Sequence, residues 1–219
     1  MYETLTAADG HDFACWMLSA KGEPRGGLVI LQEIFGVTDQ LKGVAERYAA
    51  QGYNVAIPAL FDRQKRDTVV PFDQPDLGRD LRVKISIAES LADTEAAVNA
   101  LKAKGGDVAV MGFCWGGGLA FGAAMQLDIA CAVSFYGTRL REYLGPLQNA
   151  PIMGHFGIHD DHTPAAILNE VRESVSDLAM FIYDAGHGFG NEARSAYVPA
   201  ATELAHQRTA GFLAQHLRA

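Results

Sequence analysis

The residues with the clearest chemical potential form the run Gly112-Phe113-Cys114-Trp115-Gly116. In this G-x-C-x-G pattern a cysteine stands between small residues, which is typical of a nucleophile held on a sharp turn between a strand and a helix. The N-terminal end of such a helix favours the nucleophilic thiolate. The pattern predicts a cysteine nucleophile at the carboxyl edge of a sheet, with the Trp115 N–H directed at a developing oxyanion. The alternative is a buried structural cysteine in a glycine-rich turn.

Two later segments could supply the acid and the base that this nucleophile needs. Asp160 and Asp161 follow the apolar run 151–157, and His187 lies between two glycines after the apolar run 178–186. The order nucleophile, acid, histidine is that of a hydrolase triad. All three groups are expected at one edge of one sheet, where open α/β folds bind ligands. Spacing alone leaves Asp160 and Asp161 as alternatives.

The segment 155–162 also allows a metal-site interpretation, because it holds His155, His159, His162 and two aspartates. His155 and His159 would share a face only in a helix, and Gly157 with the preceding strand argues against one. We therefore predict that no metal and no organic cofactor is used.

Glu33 is unusual because it ends a continuous apolar run, 27–33, just before a helix. The end of this predicted strand is expected at the same edge as Cys114. The N–H of Ile34 would then be a second oxyanion donor. A solvated carboxylate at a strand end is the alternative.

The composition restricts the kind of protein. Of the 219 residues, 49% are apolar and 20% are charged, and the formal net charge is −8. These values argue against disorder, and an acidic chain without a Lys/Arg cluster argues against nucleic acid or anionic membrane as a partner. Three cysteines without a CxxC, and no secretory signal at the start, indicate a reducing, cytoplasmic setting. We expect a small-molecule partner and a monomer or weak homodimer.

Apolar runs alternate with amphipathic stretches, which predicts βαβ units and a mostly parallel sheet within one domain, 1–219. Strands are predicted at 12–18, 27–33, 55–60, 107–113, 129–137, 151–157 and 178–186. Helices are predicted near 41–49, through 91–101, at 115–127, after Pro164 with Thr163 as its N-cap, and at the C-terminus. Residues 61–80 are predicted to be a lid-like loop. The uncharged stretch 108–127 could span a bilayer by length, but its five glycines favour a strand, a turn and a helix.

Several of these segments resemble one known family. LQEIFGV (31–37), GFCWGG (112–117), GIHDDHTP (157–164) and AGHGF (185–189) look like motifs of the dienelactone hydrolases, the carboxymethylenebutenolidase family of α/β hydrolases. The likeness runs from about residue 10 to 215. It implies an α/β-hydrolase fold, with a mostly parallel sheet flanked by helices on both faces, and a Cys114, Asp160, His187 triad. Asp160 is favoured because the family has a proline four residues after the acid, as Pro164 is here.

The resemblance also implies further roles. Glu33 would contact the nucleophile in the resting state and take up its proton when substrate binds. Family members that act on dienelactone hold its free carboxylate with two arginines. One matches Arg208 in HQRTAGFL, and Arg79 and Arg82 are candidates for the other. Tyr136 falls where the family has an active-site aromatic residue.

The function expected from these observations is hydrolysis of a small ester or lactone through a cysteine acyl-enzyme. Phe35 is expected in the core, in the pocket wall or in contact with substrate. The alternatives are a non-catalytic ligand-binding protein on a hydrolase fold, and an esterase or thioesterase acting on another small acyl substrate. Cys15 and Cys131 are expected to be buried and inert, and His206 to lie at the surface.

Overall fold

The computed structural model describes residues 1–145 and 148–218 and contains one eight-stranded sheet. Its strands are β1 (Tyr2–Thr6), β2 (Asp12–Leu18), β3 (Gly27–Leu31), β4 (Asn54–Pro58), β5 (Val108–Phe113), β6 (Cys131–Phe135), β7 (Ile152–Gly157) and β8 (Leu178–Tyr183). The order across the sheet is β1-β2-β4-β3-β5-β6-β7-β8. Only the β1–β2 and β2–β4 pairs are antiparallel, so the prediction of a mostly parallel sheet is confirmed.

Helices cover both faces of the sheet. They are α1 (Asp39–Ala49), α2 (Pro75–Arg82), α3 (Ile87–Lys102), α4 (Trp115–Gln126), α5 (Ala165–Ser174) and α6 (Pro199–His216). Side chains of α1 and α6 pack into one apolar cluster, whereas those of α3, α4 and α5 pack into a second cluster on the other face. Short 3-10 turns lie at Leu60–Arg63 and Leu140–Glu142.

Local signals explain where the elements begin and which strands are central. Thr38 caps α1 by accepting the Leu41 N–H at 3.2 Å, and Ser86 and Glu89 form a reciprocal capping box on α3. Strands β3 to β7 are buried at every position, as expected for parallel strands covered on both faces. Strand β2 alternates between buried and more exposed residues, as its sequence predicts.

Four local expectations need correction. Strand β1 was not predicted, because its residues are mostly exposed and show no apolar alternation. The predicted strand 27–33 ends at Leu31, which leaves Glu33 in the following loop. The predicted loop 61–80 contains most of α2, which begins with Pro75 in its first turn. The N-cap of α5 is Pro164 rather than Thr163.

The uncharged stretch 108–127 forms β5, a turn and α4, as its glycines indicate. Among the helices in the described parts of the chain, none is both long and apolar enough to cross a membrane.

Candidate active site

Cys114 occupies the turn between β5 and α4. Its backbone φ is +53°, a left-handed value that is uncommon for a residue with a side chain and that marks a strained turn. The glycines on either side are required by packing, because a Cβ built on Gly112 would lie 1.9 Å from the Gly116 carbonyl oxygen. A Cβ on Gly116 would lie 2.4 Å from the carbonyl oxygen of Leu31 on the adjacent strand. The turn therefore presents the thiol at the N-terminus of α4.

A histidine and an aspartate continue from this thiol in one hydrogen-bonded chain. Cys114 Sγ lies 3.1 Å from His187 Nε2, and His187 Nδ1 lies 2.8 Å from Asp160 Oδ2. The second oxygen of Asp160 accepts the backbone N–H of His162 at 2.8 Å, which orients the carboxylate. Asp161 is exposed. The structure thus places Asp160, and not Asp161, against the histidine.

The electrostatics of this chain favour a protonated His187 ring. Burial by itself would lower the pKa of His187, but the negative charge on Cys114 and the hydrogen bond to Asp160 raise this pKa to about 10. Burial would raise the pKa of Asp160, but its hydrogen bond and charge interaction with His187 lower it. Asp160 therefore stays ionised and fixes the ring orientation.

Two backbone N–H groups are available beside the thiol. Within residues 1–145 and 148–218, the N–H groups of Ile34 and Trp115 donate to no acceptor, and both residues line the cleft above Cys114. The neighbouring Gly116 N–H is already used, since it donates to the Gln32 carbonyl at 3.0 Å. The two predicted oxyanion donors are therefore brought to one place and left unpaired.

Glu33 is buried and is contacted by two residues that the sequence reasoning missed. Asn191 Nδ2 donates to Glu33 Oε2 at 3.1 Å, and Arg194 Nη1 lies 3.9 Å from the same oxygen. Asn191 Oδ1 accepts the Ala193 N–H, so its amide is oriented with the donor towards Glu33. The resting contact with Cys114 that the resemblance implies is not present as a hydrogen bond, because the sulfur is paired with His187.

Tyr136 is fully buried and supports the triad from the side. Its ring meets His187 edge-on, with centroids 5.3 Å apart, and its backbone φ is +39°. The Tyr136 hydroxyl and Glu33 Oε1 lack hydrogen-bond partners in the described residues. Burial and the Glu33 carboxylate both raise the pKa of Tyr136, so this hydroxyl remains protonated.

A cleft of about 290 Å³ opens over the triad. Phe35 lines it and is packed against Phe72, with ring centroids 4.8 Å apart. Helix α2 forms part of the wall, and it approaches so closely that a Cβ on Gly78 would lie 1.8 Å from the Ile34 carbonyl oxygen. Helix α2 therefore packs directly on the backbone of Ile34, one of the two predicted oxyanion donors.

The structure separates the arginines that the sequence grouped together. Arg79 and Arg82, both on α2, line the cleft. Arg208 does not: its guanidinium lies 4.2 Å from the ring centroid of Phe181 and donates to the Tyr183 hydroxyl at 3.0 Å. Arg208 therefore lies outside the lining of this cleft, because α6 directs its side chain onto β8, and its expected role as a substrate anchor stays a prediction. Arg194 lines the cleft instead. Its position in the loop that follows His187 could have predicted this placement from the sequence.

The histidines near β7 do not converge. Buried His155 bonds to Tyr183 and Thr209, whereas exposed His159 pairs with Asp184. The ring of His162 lies against that of His187, with centroids 4.5 Å apart. Across the described residues, no group of three or more histidines, cysteines or carboxylates is arranged to hold a metal ion.

Two other expectations concern buried side chains. His206 is buried rather than at the surface, and its Nδ1 lies 2.8 Å from the Tyr48 hydroxyl. Burial lowers the pKa of His206 to about 4, so the ring is neutral. Cys15 and Cys131 are fully buried, and burial raises the pKa of the Cys131 thiol to about 12. These two thiols are therefore poor nucleophiles, as expected.

Comparison with known proteins shows to which family this chain belongs. Residues 13–217 match the model of the dienelactone hydrolase family. The chain belongs to this family. The prediction of a lactone or ester hydrolase is thereby confirmed at the level of the family.

Relatives of this dienelactone hydrolase family member match over nearly their full length. The carboxymethylenebutenolidase of Pseudomonas putida is 31% identical, with 96% of this chain and 94% of the relative covered. Carboxymethylenebutenolidase 1 of Cupriavidus pinatubonensis is 29% identical, with 96% and 94% covered. A Klebsiella pneumoniae protein assigned as a dienelactone hydrolase superposes with a TM-score of 0.82 at 23% identity, covering 98% and 99%. This likeness confirms the α/β-hydrolase fold.

Proposed function

We propose that the protein hydrolyses a small lactone or ester through an acyl-enzyme on Cys114. The observation that carries this proposal is the hydrogen-bonded chain from the Cys114 sulfur through His187 to Asp160 beneath an open cleft. A nucleophile in contact with a base, and a base oriented by a third group, is the arrangement that covalent acyl transfer needs.

In the acylation step, the Cys114 sulfur attacks the carbonyl carbon of the substrate. The C–O bond to the leaving oxygen breaks, and this oxygen takes the proton from His187 Nε2. In a lactone the leaving oxygen stays attached as a hydroxyl of the same acid. The N–H groups of Ile34 and Trp115 stabilise the oxyanion in the transition state, an effect of about 10²–10³ in rate per donor.

Deacylation requires His187 to act as a base. Once Cys114 is acylated, its negative charge is gone, and with it the strongest influence that raises the pKa of His187. The neutral ring can then take a proton from water, which attacks the thioester carbon, and the C–S bond breaks to release the acid. General base catalysis of this kind contributes about 10²–10⁴ in rate. The family resemblance implies that Glu33 takes up the thiol proton. In the proposed mechanism His187 already holds this proton, so Glu33, whose side chain is fixed by Asn191, has no proton-transfer step.

The proposed substrate carries a free carboxylate, since Arg79, Arg82 and Arg194 line the cleft beside the thiol. Arginine is well suited to bind a carboxylate because its planar donors match the two oxygens. We propose that the chain acts on this small molecule as a monomer or weak homodimer in the cytoplasm, where a reducing environment keeps a nucleophilic thiol active.

Trapping the acyl-enzyme tests this proposal. The protein is mixed with a p-nitrophenyl ester, quenched in acid within milliseconds, and examined by intact and peptide mass spectrometry. We expect a mass increase equal to the acyl group, located on Cys114, together with a burst of p-nitrophenolate. Turnover with no adduct on Cys114 would contradict the mechanism, and absence of any turnover would favour a non-catalytic binding protein.

The protonation of His187 gives a second prediction. Because its pKa is raised, the ring should hold its proton through neutral pH and lose it as the pH rises through about 10. In Cys114→Ser the neutral hydroxyl removes the thiolate charge, so the proton should be lost at a lower pH. Nitrogen-15 NMR of labelled histidine measures both titrations. Equal midpoints in the two proteins would show that no thiolate–imidazolium pair forms.

A further inference from the structure

Arginine side chains line the cleft of a chain whose formal net charge is −8. Four arginines from three separate segments line it: Arg79 and Arg82 on α2, Arg139 after β6, and Arg194 after β8. Among the described residues that line the cleft, none is an aspartate or a glutamate. A low-dielectric cleft walled by one sign of charge concentrates substrate of the opposite sign.

Four guanidinium groups offer more hydrogen-bond donors than one carboxylate can accept. A carboxylate has two oxygens and about four lone-pair sites, which two arginines in bidentate contact already occupy. Arg79 and Arg82 share α2, and Arg194 lies near the buried carboxylate of Glu33. Arg139 comes from a different segment of the wall and is left over by this count.

Arg139 is placed in the cleft wall at a conformational cost. Its backbone φ is +57°, in the left-handed region that residues with side chains rarely adopt. Its guanidinium is engaged by Glu142 in a pair whose side chains are 44% and 40% exposed. Exposed pairs of this kind contribute little free energy, so an anionic ligand can compete for the guanidinium.

We infer that the substrate carries a second anionic group, and that Arg139 binds it. The substrate class is therefore a lactone or ester that bears two free anionic groups besides the acyl group that is attacked. One group is held by Arg79 and Arg82 on α2, and the other by Arg139. This inference rests on the proposed hydrolase function and narrows its substrate.

Three p-nitrophenyl esters test the inference in the full-length protein: the butyrate with no carboxylate, the monoester of glutarate with one, and the monoester of tricarballylate with two. The wild type should show the lowest KM for the tricarballylate ester. In Arg139→Ala we expect this KM to rise about tenfold or more, as for loss of a charged hydrogen bond. The KM for the glutarate ester should change less than about threefold. The circular dichroism spectrum and the urea midpoint of the variant should match those of the wild type, which shows that the variant is folded.

Two further variants sharpen the test. Arg141→Ala removes a surface arginine, paired with Glu170, from the 3-10 turn that directly follows Arg139, and should leave all three KM values unchanged. Glu142→Gln releases Arg139 from its competitor and should lower the KM for the tricarballylate ester, a change that loss of structure would not produce.

The experiment distinguishes failure of the second anionic subsite from failure of the proposed hydrolase function. Equal wild-type KM values for the esters with one and two carboxylates, or the same effect from Arg139→Ala and Arg141→Ala, would overturn the second anionic subsite while hydrolysis stands. Absence of turnover of all three esters would overturn the proposed function itself.

Discussion

Cys114→Ala should lower kcat/KM for any ester substrate by about 10⁴-fold or more, as expected when the nucleophile of a triad is removed. The alanine leaves the two oxyanion donors and the cleft intact, so binding persists and the loss falls on kcat. The measurement is steady-state hydrolysis of a p-nitrophenyl ester and of a lactone. Each needs a blank for uncatalysed hydrolysis, because residual rates will be low.

A second thiol provides the control. Cys131 lies fully buried in β6, next to β5, and has no route to substrate. Cys131→Ala should cost some stability as a small cavity forms, yet leave kcat/KM within about twofold. Wild-type turnover by the Cys114 variant on both substrates would refute the nucleophile assignment.

Gly112→Ala should destabilise the fold by about 3 kcal/mol or more and abolish activity, since severe overpacking is among the costliest substitutions. The added Cβ would lie 1.9 Å from the carbonyl oxygen and 2.2 Å from the carbonyl carbon of Gly116. Both are backbone atoms at the start of α4 and cannot move aside as a flexible side chain could. Strand and helix would have to separate, which displaces Cys114 from His187. Urea unfolding together with ester hydrolysis measures both effects.

Gly211 in α6 is the matched control, because a Cβ there meets nothing within 4 Å. Gly211→Ala should stabilise the protein by about 0.5–1 kcal/mol, since alanine is the better helix former, and should leave activity unchanged. If the Gly112 and Gly211 variants behaved alike, the close approach of β5 and α4 would not be what positions the thiol.

The central strands could be predicted because they are covered on both faces and are therefore continuously apolar. The segment 107–113 was predicted as a buried strand, and β5 is Val108–Phe113. Elements with weak burial signals were missed for the same reason. Strand β1 is mostly exposed, and of the residues in α2 only Gly78 is buried, so neither leaves an apolar pattern in the sequence.

The residues of the candidate site also fall into those that the sequence indicated and those that it did not. The elbow around Cys114 and the glycine-flanked His187 carry their signals in adjacent residues, so sequence indicated them. The choice between Asp160 and Asp161 depends on which carboxylate faces the ring, and the Asp160–His187 distance of 2.8 Å answers it. Asn191 was missed because an asparagine in a polar loop has no distinguishing neighbours until the fold brings it to Glu33.

What the amino-acid sequence indicated by itself was the family and the candidate chemistry: a predicted nucleophile, acid and base in order along a mostly parallel sheet, in a chain without basic clusters. The arginines show what it could not determine. Arg208 matched a short motif but its side chain packs on Phe181 of β8, whereas Arg139 and Arg194 carry no motif and line the cleft. The direction of a long side chain depends on packing between segments far apart in the chain. Only the tertiary structure therefore decided which charges meet the substrate.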